Sequence, residues 1–145
     1  MAPTRIEGRG TAAGVPGLPG RFTEMFQSGL TDAGEVRLHT VTGGTGPPLV
    51  LVPGWPQTWY AWRSVMPALA REHTVVAVDP RGTGRSDKPK TGYDTATLAD
   101  DIVAVMATLG HDRFAVVGHD IGMWTAYAVA ADHATSWRRS RSSKR

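Results

Sequence analysis

Asp120 lies at the centre of Gly118-His119-Asp120-Ile121-Gly122, a spacing that could present a single carboxylate to a substrate. A G-x-nucleophile-x-G pentapeptide between a strand and a helix makes a sharp turn. Small flanking residues let the backbone bend, and the central side chain is lifted clear. With aspartate at the centre, no separate base is needed to create the nucleophile, because a carboxylate is already an anion near neutral pH. It can displace a leaving group from a saturated carbon and remain as an alkyl ester. A histidine-activated water must then attack that ester while backbone N–H groups hold the oxyanion. A helix starting at Ile121 would favour the negative charge. The same five residues also support a plainer reading, in which Asp120 only caps the helix that follows.

Other residues with chemical potential carry less weight. His119 is adjacent to the nucleophile, and neighbouring side chains on one strand do not both face one site, so it reads as a packing residue under the turn. His39 falls on an expected strand and His73, His111 and His133 at element ends; these four read as structural or surface histidines. Asp79 and Arg81 read as braces for a loop. Trp55, Trp59 and Trp62 fit a pocket wall or a core equally well. Gly82-Thr83-Gly84 lacks the full dinucleotide fingerprint, and no histidine or carboxylate cluster has metal-ligand spacing, so neither a cofactor nor a metal is expected.

The elements that must position Asp120 follow from the apolar pattern. Val36, Leu38 and Val41 nearly alternate and run into a glycine-rich turn at residues 42–47, which predicts a strand. Leu49-Val50-Leu51-Val52, stopped by Pro53-Gly54, fits a strand buried on both faces, as does Thr74-Val75-Val76-Ala77-Val78. A helix over residues 59–70 would place Trp62, Val65, Met66 and Leu69 on one face, and a second runs from about Thr97 to Leu109, with Gly110 as its stop signal. Phe114-Ala115-Val116-Val117 is a third buried strand breaking at Gly118, and residues 121–131 read as helix. Strand, turn and helix in succession imply an α/β fold with a parallel sheet, whose chemistry collects where strands end and helices begin.

Three segments in this order resemble the epoxide hydrolase and haloalkane dehalogenase branch of the α/β-hydrolase superfamily. Val50-Leu51-Val52-Pro53-Gly54-Trp55-Pro56, with Trp59 and Trp62-Arg63, is similar to the segment that supplies the family's oxyanion hole. The stretch from Asp79-Pro80-Arg81-Gly82-Thr83-Gly84 to Arg85-Ser86-Asp87-Lys88-Pro89 is similar to the next one, and Val117 to Gly122 to its aspartate elbow. Together they cover about residues 35–133. The resemblance implies Asp120 as nucleophile and the backbone N–H groups of Trp55 and Ile121 as oxyanion donors. Two departures matter. Pro53 replaces the usual histidine, which leaves the Trp55 donor in place, and the Trp55-Pro56 bond is a candidate for the cis form. Ile121 stands where a haloalkane dehalogenase usually has a tryptophan that holds the halide, so epoxide opening leads and a haloalkane or haloacid dehalogenase follows. No lid tyrosine is identifiable, because Tyr60, Tyr93 and Tyr127 all precede the place of a lid.

Composition sets the outer bounds. The 145 residues fit one domain, and with no cysteine thiolate chemistry and disulfides are excluded. No apolar run reaches transmembrane length, no secretory h-region is visible, and a soluble cytoplasmic protein acting on a small molecule is expected. The sequence pI of 9.7 is a property of the end of the chain: five of its last eight residues are Arg or Lys, and without them the net charge of +3 becomes −2. No nucleic-acid or membrane partner is therefore expected.

The expected organisation is a flexible leader at 1–20, the N-terminal part of an α/β-hydrolase domain at 21–133 and a basic tail at 134–145. The family's histidine and second carboxylate come from strands after the elbow helix, so the fold is expected to be truncated there. A shift of reading frame after about His133 would turn the Thr, Ser and Arg codons of the tail into a largely apolar strand. On this reading the chain does not turn over, an open sheet edge beside residues 114–117 invites aggregation, and a non-catalytic small-molecule binder is the alternative from another functional class.

Overall fold

The computed structural model describes residues 6–12, 14–133 and 137–143. One seven-stranded sheet runs in the order β1-β2-β3-β5-β4-β6-β7, built from β1 (Ile6–Thr11), β2 (Phe26–Asp32), β3 (Arg37–Gly43), β4 (Pro48–Val52), β5 (Thr74–Val78), β6 (Phe114–His119) and β7 (Trp137–Ser143). The helices are α1 (Phe22–Met25), α2 (Met66–Leu69), α3 (Thr95–Thr108) and α4 (Ile121–Asp132), with a 3₁₀ turn at Trp59–Trp62.

The apolar runs form the middle of the sheet. β4 pairs in parallel with β5 on one side and β6 on the other, with Val50 opposite both Val76 and Val116. Alternate side chains feed two cores. Val50, Val52, Val76, Val78 and Val116 pack beneath α3 and α4, against Ile102, Val105, Met106 and Val129. Leu49, Leu51, Val75 and Ala77 face the other way, toward Phe22, Phe26, Trp59 and Met66. A strand buried on both faces cannot alternate in polarity, which is why these segments read as unbroken apolar runs. Because β5 and β6 lie on opposite sides of β4, the loops after β4 and β6 flank a topological switch point, the place where open α/β sheets bind ligands.

The sheet as a whole is mixed rather than parallel. β1, β2 and β3 are antiparallel, and β3 joins β5 antiparallel. β2 left no apolar signature because Ser28, Gly29 and Thr31 occupy buried places in it; Thr31 meets that burial with a 2.8 Å hydroxyl bond to Thr40. β1 lies in the stretch expected to be a flexible leader and pairs along β2, with a register shift between Glu7 and Gly10. Backbone ladders need no apolar period, so such a strand is invisible to a hydropathy reading.

Other boundaries differ for identifiable reasons. The helix expected over 59–70 is split into the 3₁₀ turn and α2, because Pro67 lacks an N–H and is tolerated only at the first turn of a helix. The basic stretch expected to be an aperiodic tail contains β7, parallel to β6. The edge beside residues 114–117 is therefore covered, contrary to the expectation of an open one. The frame-shift reading concerns residues 134–145, of which 134–136, 144 and 145 lie outside the described residues. Among the described residues no helix is long and apolar enough to cross a membrane.

Candidate active site

Asp120 is the single residue between β6 and α4. Its backbone sits at φ 57° and ψ −124°, a conformation that non-glycine residues rarely adopt and that must be held by its surroundings. The two glycines do the holding. A Cβ on Gly118 would come within 2.2 Å of the Gly122 carbonyl oxygen, and one on Gly122 within 2.3 Å of the Val52 carbonyl oxygen. The first turn of α4 thus rests directly on the end of β4. The Met123 N–H closes the turn onto the Asp120 carbonyl at 2.9 Å.

The plain capping reading does not describe this geometry. Asp120 occupies the N-cap position, yet its side chain makes no capping hydrogen bond. Its carboxylate is exposed at the positive end of a helix of twelve residues. The N–H of Ile121, at the first position of α4, has no partner available within the helix.

The loop after β4 comes up beside it. A Cβ on Gly54 would lie 2.7 Å from the Asp120 Cβ and 3.0 Å from its Oδ2, so only glycine lets this backbone approach the carboxylate so closely. The loop is held by a bond from Gln57 N–H to the Gly54 carbonyl at 2.7 Å and from Gly54 N–H to Gln57 Oε1 at 3.2 Å. The Trp55-Pro56 bond is cis. Trp55 is 59% and Ile121 44% exposed. Both border a cavity of about 230 Å³ whose wall also includes Gly54, Arg81, Tyr93 and Leu98. The Asp120 side chain is beside this cavity and is not part of its wall.

Behind the site two carboxylates tie the loops together. The Asp79 side chain receives the Trp59 N–H at 2.8 Å, the Arg85 N–H at 3.1 Å and His39 Nδ1 at 2.9 Å. Asp101 on α3 holds Arg81 through two bonds of 2.7 and 2.8 Å, both residues being buried. Hydrogen bonding to Asp101 raises the Arg81 pKa, burial opposing it. Asp79 and Arg81 are thus braces, as their loop positions suggested.

Three of the five histidines are engaged elsewhere. His39 pairs with Asp79, His73 approaches the Leu69 carbonyl at 3.3 Å, and His133 meets Asp100 at 2.7 Å. His111 is half-buried, and burial lowers its pKa. His119 is half-buried on β6. Among the described residues none hydrogen-bonds Asp120, and no group of three metal-binding side chains occurs. Sequence reasoning missed Tyr93, Leu98 and Thr125 as cavity residues. Nothing in their local pattern marks them, because the loop after β5 brings Tyr93 over from a distance. It also missed the burial of the His39–Asp79 pair. Of the three tryptophans, Trp59 is core, its ring tilted 31° to Phe22 with centroids 5.7 Å apart, and only Trp55 borders this cavity.

A family model described as the alpha/beta hydrolase fold matches residues 47–139. The chain is 52% identical to a soluble epoxide hydrolase of Corynebacterium sp. (strain C12) over 97 residues, which are 67% of this chain and 34% of that one. It is 43% identical to a fluoroacetate dehalogenase of Burkholderia sp over 118 residues, 78% of this chain and 39% of the other. The crystal structure of wild-type Cfl2 from Burkholderia cenocepacia superposes with a TM-score of 0.79 at 41% identity, covering 86% of this chain and 43% of that one. The chain therefore spans between a third and a half of the length of these proteins.

Proposed function

The chain belongs to the α/β-hydrolase fold family, in the branch of epoxide hydrolases and dehalogenases, and from that premise we propose that Asp120 is a nucleophile that opens an epoxide. One observation carries this reading: an aspartate held at positive φ between β6 and α4, its carboxylate exposed and not spent on capping. An Asp120 oxygen attacks an epoxide carbon, the ring C–O bond breaks, and the freed oxygen takes a proton from solvent. The product is a hydroxyalkyl ester on Asp120.

Hydrolysis of the ester needs water activated by a base and donors for the carbonyl oxygen. The backbone N–H groups of Trp55 and Ile121 fit the donor role, since one lies in the loop touching Asp120 and the other opens α4. No base hydrogen-bonded to Asp120 occurs among the described residues, so formation of the ester is the step proposed for them.

A second reading, displacement of halide from a haloacid, is favoured by the dehalogenase relative, which matches over the longer stretch. Ile121 offers a halide no side-chain donor, whereas the exposed Trp55 indole does. Intact-mass spectrometry of the purified chain after incubation with styrene oxide, and separately with fluoroacetate, tests both. Epoxide opening predicts a single adduct on the peptide containing Asp120, absent in Asp120→Asn. No adduct with either reagent, or an adduct that persists in Asp120→Asn, overturns the reading.

A further inference from the structure

The cavity of about 230 Å³ beside Asp120 has a wall whose polar side chains are largely spent inside the protein. Among the described residues, Arg81 is the one charged member of that wall. Its guanidinium Nε and Nη2 donate to the two Asp101 oxygens at 2.7 and 2.8 Å, and its Nη1 to the Thr91 carbonyl at 3.1 Å. The Thr83 hydroxyl donates to the Pro80 carbonyl at 2.7 Å, and the Tyr93 hydroxyl to the Pro89 carbonyl. Val52, Leu98 and Ile121 add apolar surface.

A carboxylate entering this space would shed water without gaining a cationic partner, a large cost for a buried ion. The Asp120 carboxylate next to it would repel a second anion as well. The backbone N–H groups of Trp55 and Ile121 do not offset this, because the ester oxygen needs them. An uncharged apolar group, by contrast, gains by leaving water and by touching the wall. Size sets the other limit. An apolar cavity of about 150 Å³ holds benzene, whereas drug-sized ligands need about 300 Å³ or more, so this one suits a single ring. Gly54 links the cavity to the nucleophile: it belongs to the wall, and a Cβ on it would lie 3.0 Å from Asp120 Oδ2.

Resting on the reading of Asp120 as the nucleophile, we propose that this cavity holds the substituent of the epoxide and selects uncharged, apolar groups up to one aromatic ring. It turns carboxylates away, so haloacids and carboxylate-bearing epoxides are poor ligands of the site. The neutrality of the wall comes from Asp101, which occupies the one cation that could have held an anion there.

Binding is read first, with unreactive probes. Benzyl alcohol titrated into the complete chain should shift the Leu98 methyl resonances saturably, and benzoate, the same ring carrying a charge, should bind about tenfold more weakly or less. Reaction is read second, as the rate of adduct formation on the Asp120 peptide, each epoxide's rate being divided by its rate with acetate ion in the same buffer. Glycidamide should react about tenfold faster than glycidate, which matches it in size and differs in charge, and styrene oxide about tenfold faster than propylene oxide. Leu98→Trp, which fills the cavity, should shift the ratio of the last two rates about tenfold toward propylene oxide. The proposal is overturned if benzoate matches benzyl alcohol, if glycidate matches glycidamide, or if a folded Leu98→Trp keeps the parent's ratio. Adducts formed while saturating benzyl alcohol leaves Leu98 unmoved would overturn the cavity's role and spare the nucleophile. Selective binding of benzyl alcohol with no adduct from any epoxide would support the cavity's selectivity and overturn the role of Asp120.

Discussion

Gly118 and Gly122 flank Asp120 in sequence and Gly54 approaches it from the loop after β4, and they constrain different things. An added Cβ at Gly118 or Gly122 meets a backbone carbonyl at 2.2 or 2.3 Å, and neither carbonyl can swing aside. Alanine at either position is expected to destabilise the fold by about 1–3 kcal/mol, read as a lower urea midpoint. Gly54→Ala instead meets the Asp120 side chain at 2.7 Å. It should displace the nucleophile and suppress adduct formation with a smaller loss of stability, and the mass-spectrometric assay with urea melts separates the two outcomes. Asp101→Ala leaves the buried Arg81 charge without its carboxylate, an expected loss of about 3–5 kcal/mol by the same melts. The elbow and its glycines were legible because their constraint is local and sequential. The His39–Asp79 pair was not, since it joins residues 40 positions apart through the antiparallel half of the sheet.

Among the elements, α3 has both ends secured in ways that can be measured. Asp94 caps its start, accepting the Thr97 N–H at 3.0 Å and the Thr97 hydroxyl at 2.8 Å. These bonds, the hydroxyl's first, hold the Asp94 carboxyl below its ordinary value of 3.8. A depressed folded value means that the cap contributes fully above the ordinary carboxylate range and is lost as pH falls through the folded value. The helical circular dichroism of the parent and Asp94→Ala should therefore differ at neutral pH and converge in strong acid. At the other end, Gly110 at φ 92° closes a turn in which its N–H goes to the Ala107 carbonyl at 3.0 Å and the His111 N–H to Met106 at 2.8 Å. Nothing lies within 4 Å of an added Cβ there. Gly110→Ala thus costs backbone strain alone, about 1–2 kcal/mol in thermal or urea melts. Helix and strand positions that bury a regular stripe were readable in this way. β2 and β7 were not, because polar residues held by ladder bonds leave no period, and Pro67 interrupted a stripe that otherwise looked helical.

At the scale of the whole molecule, the covered edge at β6 moves the risk of association from an edge to a face. Ile121, Trp124 and Tyr127 are 44%, 61% and 71% exposed and recur every third residue along α4, with Trp55 also open at 59%. Exposed apolar groups gathered on one helix mark a contact surface or a liability. Sedimentation velocity should show association that rises with protein concentration. Trp124→Lys with Tyr127→Lys should suppress it while changing the unfolding free energy from urea melts by no more than about 0.5 kcal/mol. The parallel α/β core was visible in the sequence at this scale, in the repeated strand–turn–helix order. The mixed character of the sheet was not, because antiparallel pairing depends on where a chain returns and not on what it contains.

The place of β4 has a further consequence for how the protein is made. β4 is the inner strand between β5 and β6, and both of its ladder partners follow it on the ribosome. Residues 53–119 must be synthesised before the second partner is complete, roughly 3–13 s at bacterial-to-eukaryotic elongation rates of about 5–20 residues per second. Through that interval Leu49-Val50-Leu51-Val52 is an apolar segment with unpaired backbone on at least one side. The nascent chain is then most in need of a chaperone, and synonymous codons that slow translation between β4 and β6 should lower the soluble yield without changing a single amino acid.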